Sequence, residues 1–256
     1  MNAIFQIAIN TFKETIRNKV LYNILFFAIG LIFLSISFGE WSVFARVQVM
    51  QDFGLATMSI AGLLLAVFIG VGLLAKEIAD KTLYSTLVKP IFRYTFVSGK
   101  FFGLLVTLAV NFAILTLIFW VIIIYLGGQA TMPLFSAVLL IWIETALIVS
   151  VSIFFSTITT PMLAAIFTLA FYVIGHMNDF MELTLTAQTS INPVIENLLK
   201  IIYYLLPNLE HFNIREQVVY SVGVAPNYIL FSFIYGVLYI FLFLILSCLI
   251  FTTKDL

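Results

Sequence analysis

Charge is what this chain lacks most. Only 9% of its 256 residues are charged, against about 25% in an ordinary soluble domain. That is too little to cover a water-facing surface. Together with a hydrophobic content of 63%, it excludes a soluble globular fold. Cysteine is nearly absent: Cys248 is the only one, so no disulfide forms within the chain. Strand-like alternation is missing as well, which excludes a transmembrane barrel, and no sequence repeat or low-complexity tract is evident. The net charge of zero says nothing about partners. The distribution of charge says more, and it gives no basic patch that would predict nucleic-acid binding.

What is present is a series of long apolar runs. A helix needs about 20 apolar residues to cross the hydrocarbon core of a bilayer, and continuous runs favour helices over barrels. The sequence predicts an all-α membrane protein with six spans at 20–38, 53–75, 101–126, 134–155, 162–177 and 228–251. The long stretch from Phe101 to Ile143 breaks at Gly127–Pro133, which has hairpin chemistry, and Ser156–Pro161 marks a second tight turn. Basic residues orient the chain. With the N-terminus cytoplasmic, nine basic residues fall inside (Lys13, Arg17, Lys19, Lys76, Lys81, Lys89, Arg93, Lys100 and Lys254) and three outside (Arg46, Lys200, Arg215). Both termini are then cytoplasmic. No small-residue cleavage site follows the first run, so it reads as an uncleaved span.

Three segments lie outside the spans. Residues 1–19 form an amphipathic helix, with Phe5, Ile9, Phe12 and Ile16 on one face and Gln6, Lys13, Glu14 and Arg17 on the other. This pattern suits the inner leaflet surface. The loop between spans two and three carries a second amphipathic helix at 77–89. Ala79, Leu83 and Leu87 share a line, Tyr84 and Val88 sit beside it, and Pro90 stops it. Positive-inside topology accounts for the charge in this loop, but not for an ordered apolar face, which a docking element would explain. The outer segment 178–227 holds a helix from Pro193 to Leu206 and a capping-box pattern at Asn213–Glu216. It reads as an interfacial lid packed on the bundle, in preference to a substrate-binding segment.

Ser98-Gly99-Lys100 invites a nucleotide reading and fails it. A phosphate-binding loop needs G-x-x-x-x-G-K-[ST]. Here Phe101 follows Lys100, and Tyr94 stands where the first glycine belongs. The stretch is instead the entry to span three, with Lys100 as an interfacial anchor.

The amphipathic N-terminal helix, the element EIADKTLYSTLVKPIFRYTFVSGKFFG after span two, and the long outer segment with LPNLEHF before the last span together resemble the ABC-2 type permease family. These are the membrane subunits of bacterial exporters with the type V fold, nearest the permeases linked to multicopper-enzyme maturation and gliding motility. The element after span two is the most specific part, with Glu77, Pro90, Arg93 and Gly99-Lys100 in the family's order. The resemblance implies a coupling helix that sits on a separate ATP-binding subunit, with Glu77, Asp80, Lys81, Leu83, Tyr84, Leu87, Lys89 and Arg93 as the docking residues. It implies a dimer with a second permease copy or paralogue, a place in the bacterial inner membrane, and ATP and Mg in the partner alone. No cofactor or metal is expected on this chain, and no substrate is implied.

Within the spans, Glu144 is the one ionisable residue deep in the membrane, and a charge there costs about 2.5–3.5 kcal/mol on insertion scales. Counted from the inner boundary at 1.5 Å per residue, Asn111 and Glu144 lie at similar depth, so a contact between them is expected. It serves either as an interhelical hydrogen bond or as part of a substrate path. Gly62, Ala66 and Gly70 repeat every fourth residue, a packing stripe. Trp41, Trp120 and Tyr125 suit an aromatic belt. His176 and His211 are the only histidines, and no metal site is expected from them. The rival reading is an ATPase-independent transporter or a scaffold. The chain shows no paired halves with broken helices, the usual mark of secondary transporters, and no constellation of catalytic groups.

Overall fold

A computed structural model describes residues 3–41, 45–79, 93–129, 131–178, 181, 184, 196, 197, 199, 200, 203 and 206–253, with the backbone alone for 41, 73–79 and 253. Among these residues the chain is helical with no strands. In order come α1 (Ala3–Ile16), α2 (Lys19–Trp41), α3 (Arg46–Ala79), α4 (Arg93–Tyr125), α5 (Met132–Ile158), α6 (Pro161–His176), a 3-10 turn (Leu209–Phe212), α7 (Arg215–Val219) and α8 (Pro226–Thr253).

Five of these helices, α2, α3, α4, α5 and α8, are long and apolar enough to cross a membrane. The helix expected as the fifth span, α6, has 16 residues, or about 24 Å at 1.5 Å per residue, short of a hydrocarbon core about 30 Å thick. Several helices run past the expected spans. α3 has 34 residues and α4 has 33, so Arg93–Lys100 is helix, not a loop leading into one.

Local chemistry sets the ends. Gly127 has a φ of +81°, the left-handed conformation that glycine adopts without strain, and it ends α4. Pro133 and Pro161 sit in the first turns of α5 and α6, where a missing N–H costs nothing. The expected capping box at 213–216 does not form. Ile214 is the N-cap of α7 and makes no side-chain cap bond. The Asn213 side chain accepts only a long bond from the Arg215 N–H at 3.4 Å, and its Nδ2 donates to Glu210 Oε1 of the adjacent 3-10 turn at 2.7 Å.

α5 is the central helix, buried along most of its length and packed against α3, α8 and α6. Its contact with α3 uses the small-residue stripe. A Cβ on Gly62 would run into Thr145 and one on Gly70 into Ser152, while Ala66 is fully buried. Side chains this small let the two backbones come close. α2 and α8 sit at the periphery and expose large apolar side chains such as Phe26, Phe231 and Leu238. Such a surface is stable against lipid, not water.

α1 packs lengthwise on α4, and its buried residues are Thr11 and Thr15. The contact works because α4 presents Gly99 and Gly103. A Cβ there would sit 2.7 Å from Ile7 Cβ and 2.6 Å from Thr11 Cβ, respectively. Phe5, on the apolar stripe read from the sequence, is exposed, and Ile9, Phe12 and Ile16 are half-buried. α1 thus has two faces in use, a small one for α4 and an apolar one turned outward.

Candidate functional site

The bundle has two ends. At one lie α1, the start of α4, and the C-termini of α3, α5 and α8. At the other lie the 3-10 turn and α7, called here the lid end. Of the expected docking residues, Glu77 and Arg93 lie at the first. Asp80, Lys81, Leu83, Tyr84, Leu87 and Lys89 lie outside the described residues, and for Glu77 the backbone alone is described, continuing α3 without a break to Ala79.

Arg93 is described, and it makes an intramolecular joint. Its Nη1 donates to the carbonyls of Phe251 at 2.5 Å and Thr252 at 3.1 Å, and its guanidinium lies over the Phe251 ring, 5.8 Å from the centroid. The last carbonyls of a helix have no intrahelical donor, and a cation there also meets the negative end of the helix dipole. Arg93 therefore ties the start of α4 to the end of α8. Lys100 is not an interfacial anchor. It is buried, 3.4 Å from Glu14 Oε2 of α1, because α4 starts seven residues before it. The lysine that resembled a nucleotide motif holds α1 in place.

The lid end carries the polar chemistry. The 3-10 turn and α7 are seated in the bundle: Leu209, Phe212 and Ile214 are buried. Space is made for them at Gly175, where a Cβ would meet Leu209, and at Gly236, where it would meet Ile143 and Phe212. Asn208 starts the turn by accepting from the Glu210 N–H at 2.9 Å, and its own N–H donates to Tyr235 Oη at 2.8 Å.

Beneath this lid is a cavity of about 200 Å³ between α3, α5 and α6. Its apolar walls are Leu55, Ala137, Ile141, Phe212 and Ile214, and its polar groups are Ser59, Glu144, Tyr172, His176, Asn213 and Arg215. Ser59 Oγ and Tyr172 Oη are 3.1 Å apart, a hydrogen bond across α3 and α6. His176 Nδ1 lies 3.2 Å from the Tyr172 carbonyl. His176 Nε2 lies 3.4 Å from Glu144 Oε1, a charge contact without a hydrogen bond. Glu144 is 4% exposed. Arg215 Nε reaches Asp52 Oδ1 at 2.8 Å and ties α7 to α3, again with the N–H pointing off the acceptor.

The expected meeting of Asn111 and Glu144 does not occur. Asn111 Nδ2 donates to the Thr107 carbonyl of its own helix at 2.8 Å. The residue lines a different, tighter cavity with Gly70 and Val149, and Val149 is five residues, about 7.5 Å, along α5 from Glu144. Depth counted from helix ends does not fix which face a residue takes, and α4 begins earlier than the hydropathy implied. His176 is the partner that sequence reasoning missed. The available signal was a histidine at the end of an apolar run in a chain with two histidines. Trp120 packs on Phe135 with ring centroids 6.2 Å apart, Tyr125 is exposed, and the Trp41 side chain lies outside the described residues. Among the described residues no three His, Cys, Asp or Glu side chains are placed to hold a metal ion.

A helical bundle with an apolar exterior, a buried central helix and a lidded polar cavity belongs to the class of polytopic membrane transport proteins. The chain belongs to the ABC-2 family: the family description "ABC-2 family transporter protein" matches residues 5–256. No curated protein compared with it matches.

Proposed function

We propose that this chain is the permease subunit of an ATP-binding cassette exporter. The family match over residues 5–256 carries the reading, because members of that family normally work with an ATP-binding subunit. The lack of a phosphate-binding loop anywhere in the sequence supports the same division of labour. ATP and Mg are bound by the partner, and residues 77–89 with Arg93 form the docking element. The permease sits in the bacterial inner membrane with both termini cytoplasmic, α6 completes six crossings, and two permease copies assemble with two ATPase subunits.

The length of α3 supports a mechanism. One continuous helix carries Asp52, Leu55 and Ser59 at the lid end and Glu77 at the other. Its 34 residues span about 51 Å at 1.5 Å per residue. A push delivered at residues 77–79 reaches the cavity along one unbroken helix. Because α3 is joined to α7 by Asp52–Arg215 and to α6 by Ser59–Tyr172, its movement alters the lid and the cavity together.

The test is purification from native membranes in mild detergent, followed by mass spectrometry. A P-loop ATPase co-purifies in stoichiometric amount, and charged replacements of Tyr84 and Leu87 remove it. A well-folded permease without an ATPase, from cells that express one, would leave a stand-alone transporter or scaffold.

A further inference from the structure

The cavity beneath the lid has an uncommon proton inventory. His176 Nδ1 faces the Tyr172 carbonyl at 3.2 Å. A carbonyl only accepts, so Nδ1 carries hydrogen and, in the neutral ring, Nε2 presents a lone pair. That lone pair points at Glu144 Oε1, 3.4 Å away, which accepts no hydrogen bond. Two acceptors facing each other inside a membrane bundle repel unless a proton lies between them. The pair therefore holds one proton, on Glu144 or on His176, whenever nothing else fills the cavity.

Something else can. The cavity, of about 200 Å³, is far roomier than a bare metal ion needs, and its oxygens are too few for one: Ser59, Tyr172 and Asn213 beside Glu144. Metal cages use 6–8 oxygens for calcium or octahedral geometry for magnesium. The rest of the lining is His176, Arg215 and the apolar Leu55, Ala137, Ile141, Phe212 and Ile214. One carboxylate in a chamber lined by both polar groups and apolar side chains matches a short amphipathic amine, with its ammonium on the carboxylate and its hydrocarbon part on the apolar walls. The other charged and titratable groups around the pair do not supply that cation. Arg215 of α7 is engaged by Asp52 of α3. Glu210 of the 3-10 turn accepts from Asn213. Tyr172 of α6 is bonded to Ser59.

We infer that the cavity formed by α3, α5, α6 and the lid binds a small primary ammonium compound on Glu144, in exchange for the proton shared with His176. The ammonium donates N–H bonds to the carboxylate, and the displaced proton leaves to solvent, so charge balances. This gives the proposed permease a ligand class, and it does not depend on the ATPase: the site is read on the permease alone.

The test uses n-butylammonium chloride with the full chain purified in detergent. Binding is followed by calorimetry and by thermal unfolding. Saturable stabilisation of the wild type is expected, with affinity tightening up to about tenfold per pH unit while a proton is displaced. Tetrabutylammonium, too large for the chamber and without N–H donors, has no such effect. Glu144→Gln abolishes the response. Ala137→Leu, which fills the chamber and leaves the carboxylate in place, abolishes it as well, and stands in if Glu144→Gln does not fold. No response from the wild type, an equal response to tetrabutylammonium or sodium chloride, a response that survives in either variant, or one independent of pH would overturn the inference. None of those results touches co-purification of an ATPase.

Discussion

Replacing Arg93 with alanine separates a structural from a docking role for the residue. In the structure its Nη1 serves two carbonyls at the C-terminus of α8, at 2.5 and 3.1 Å. A hydrogen bond from a charged donor contributes about 1.5–3 kcal/mol net, and a cation at a helix C-terminus adds about 0.3–1 kcal/mol. The bond to Thr252 is exposed, so solvent screening removes much of its share. About 2 kcal/mol remains, which corresponds to roughly 30-fold in a local equilibrium. Arg93→Ala should therefore speed hydrogen exchange in the last turn of α8, residues 250–253, by one to two orders of magnitude. The centre of α5, around Ile148, should be unchanged. Arg93→Lys, with a single ammonium in place of the planar fork, should recover part of the protection. Hydrogen-exchange mass spectrometry on the detergent-purified chain reads this directly. Unchanged exchange at 250–253 would refute the joint between α4 and α8. If exchange is unchanged but ATPase association is lost, the docking role alone remains.

Other variants follow from the same contacts. Gly103→Val places its branched side chain against the Ala8 carbonyl and Thr11. It should lower stability by about 1–3 kcal/mol, read by thermal unfolding, and make α1 accessible to protease. Gly30→Ala is the control, since a Cβ there has open space around it and alanine is the better helix former by about 1 kcal/mol; any loss of stability would count against the packing argument. Tyr172→Phe removes the bond to Ser59 and should cost about 0.6 kcal/mol, the average for such bonds within membranes, as measured by steric trapping. A cost above about 2 kcal/mol would show that the hydroxyl does more than bridge α3 and α6.

Much of the architecture was legible because it follows from one-dimensional rules. Continuous apolar runs bounded by glycine and proline place α2, α5 and α8 within a few residues, since the bilayer demands length and apolarity and little else. The stripe of Gly62, Ala66 and Gly70 was readable as close packing because small residues four apart have few other uses on a membrane helix. The failures fall where a residue's role depends on a distant part of the chain. Lys100 looks like an interfacial anchor until Glu14 of α1 is seen beside it. Gly99 and Gly103 have the same small-residue spacing as the stripe in α3, but charge and a misleading glycine-lysine pair hid them at the expected edge of a span. The Asn111–Glu144 pairing failed because equal depth does not mean facing sides.

The two ends of the molecule were unequally legible for a physical reason. At the α1 end the sequence signals are runs of residues close along the chain, and amphipathic periodicity makes them visible. At the lid end the cavity gathers Ser59, Glu144, His176 and Arg215 from four separate elements, and no local pattern records their meeting. The fold brings them together through two economies visible in single residues. α6 ends at His176, whose Nε2 lies 3.4 Å from Glu144. Gly175 and Gly236 then give up side chains so that Leu209 and Phe212 can enter. A side chain at either glycine would close the space that lets the 3-10 turn cover the polar chamber.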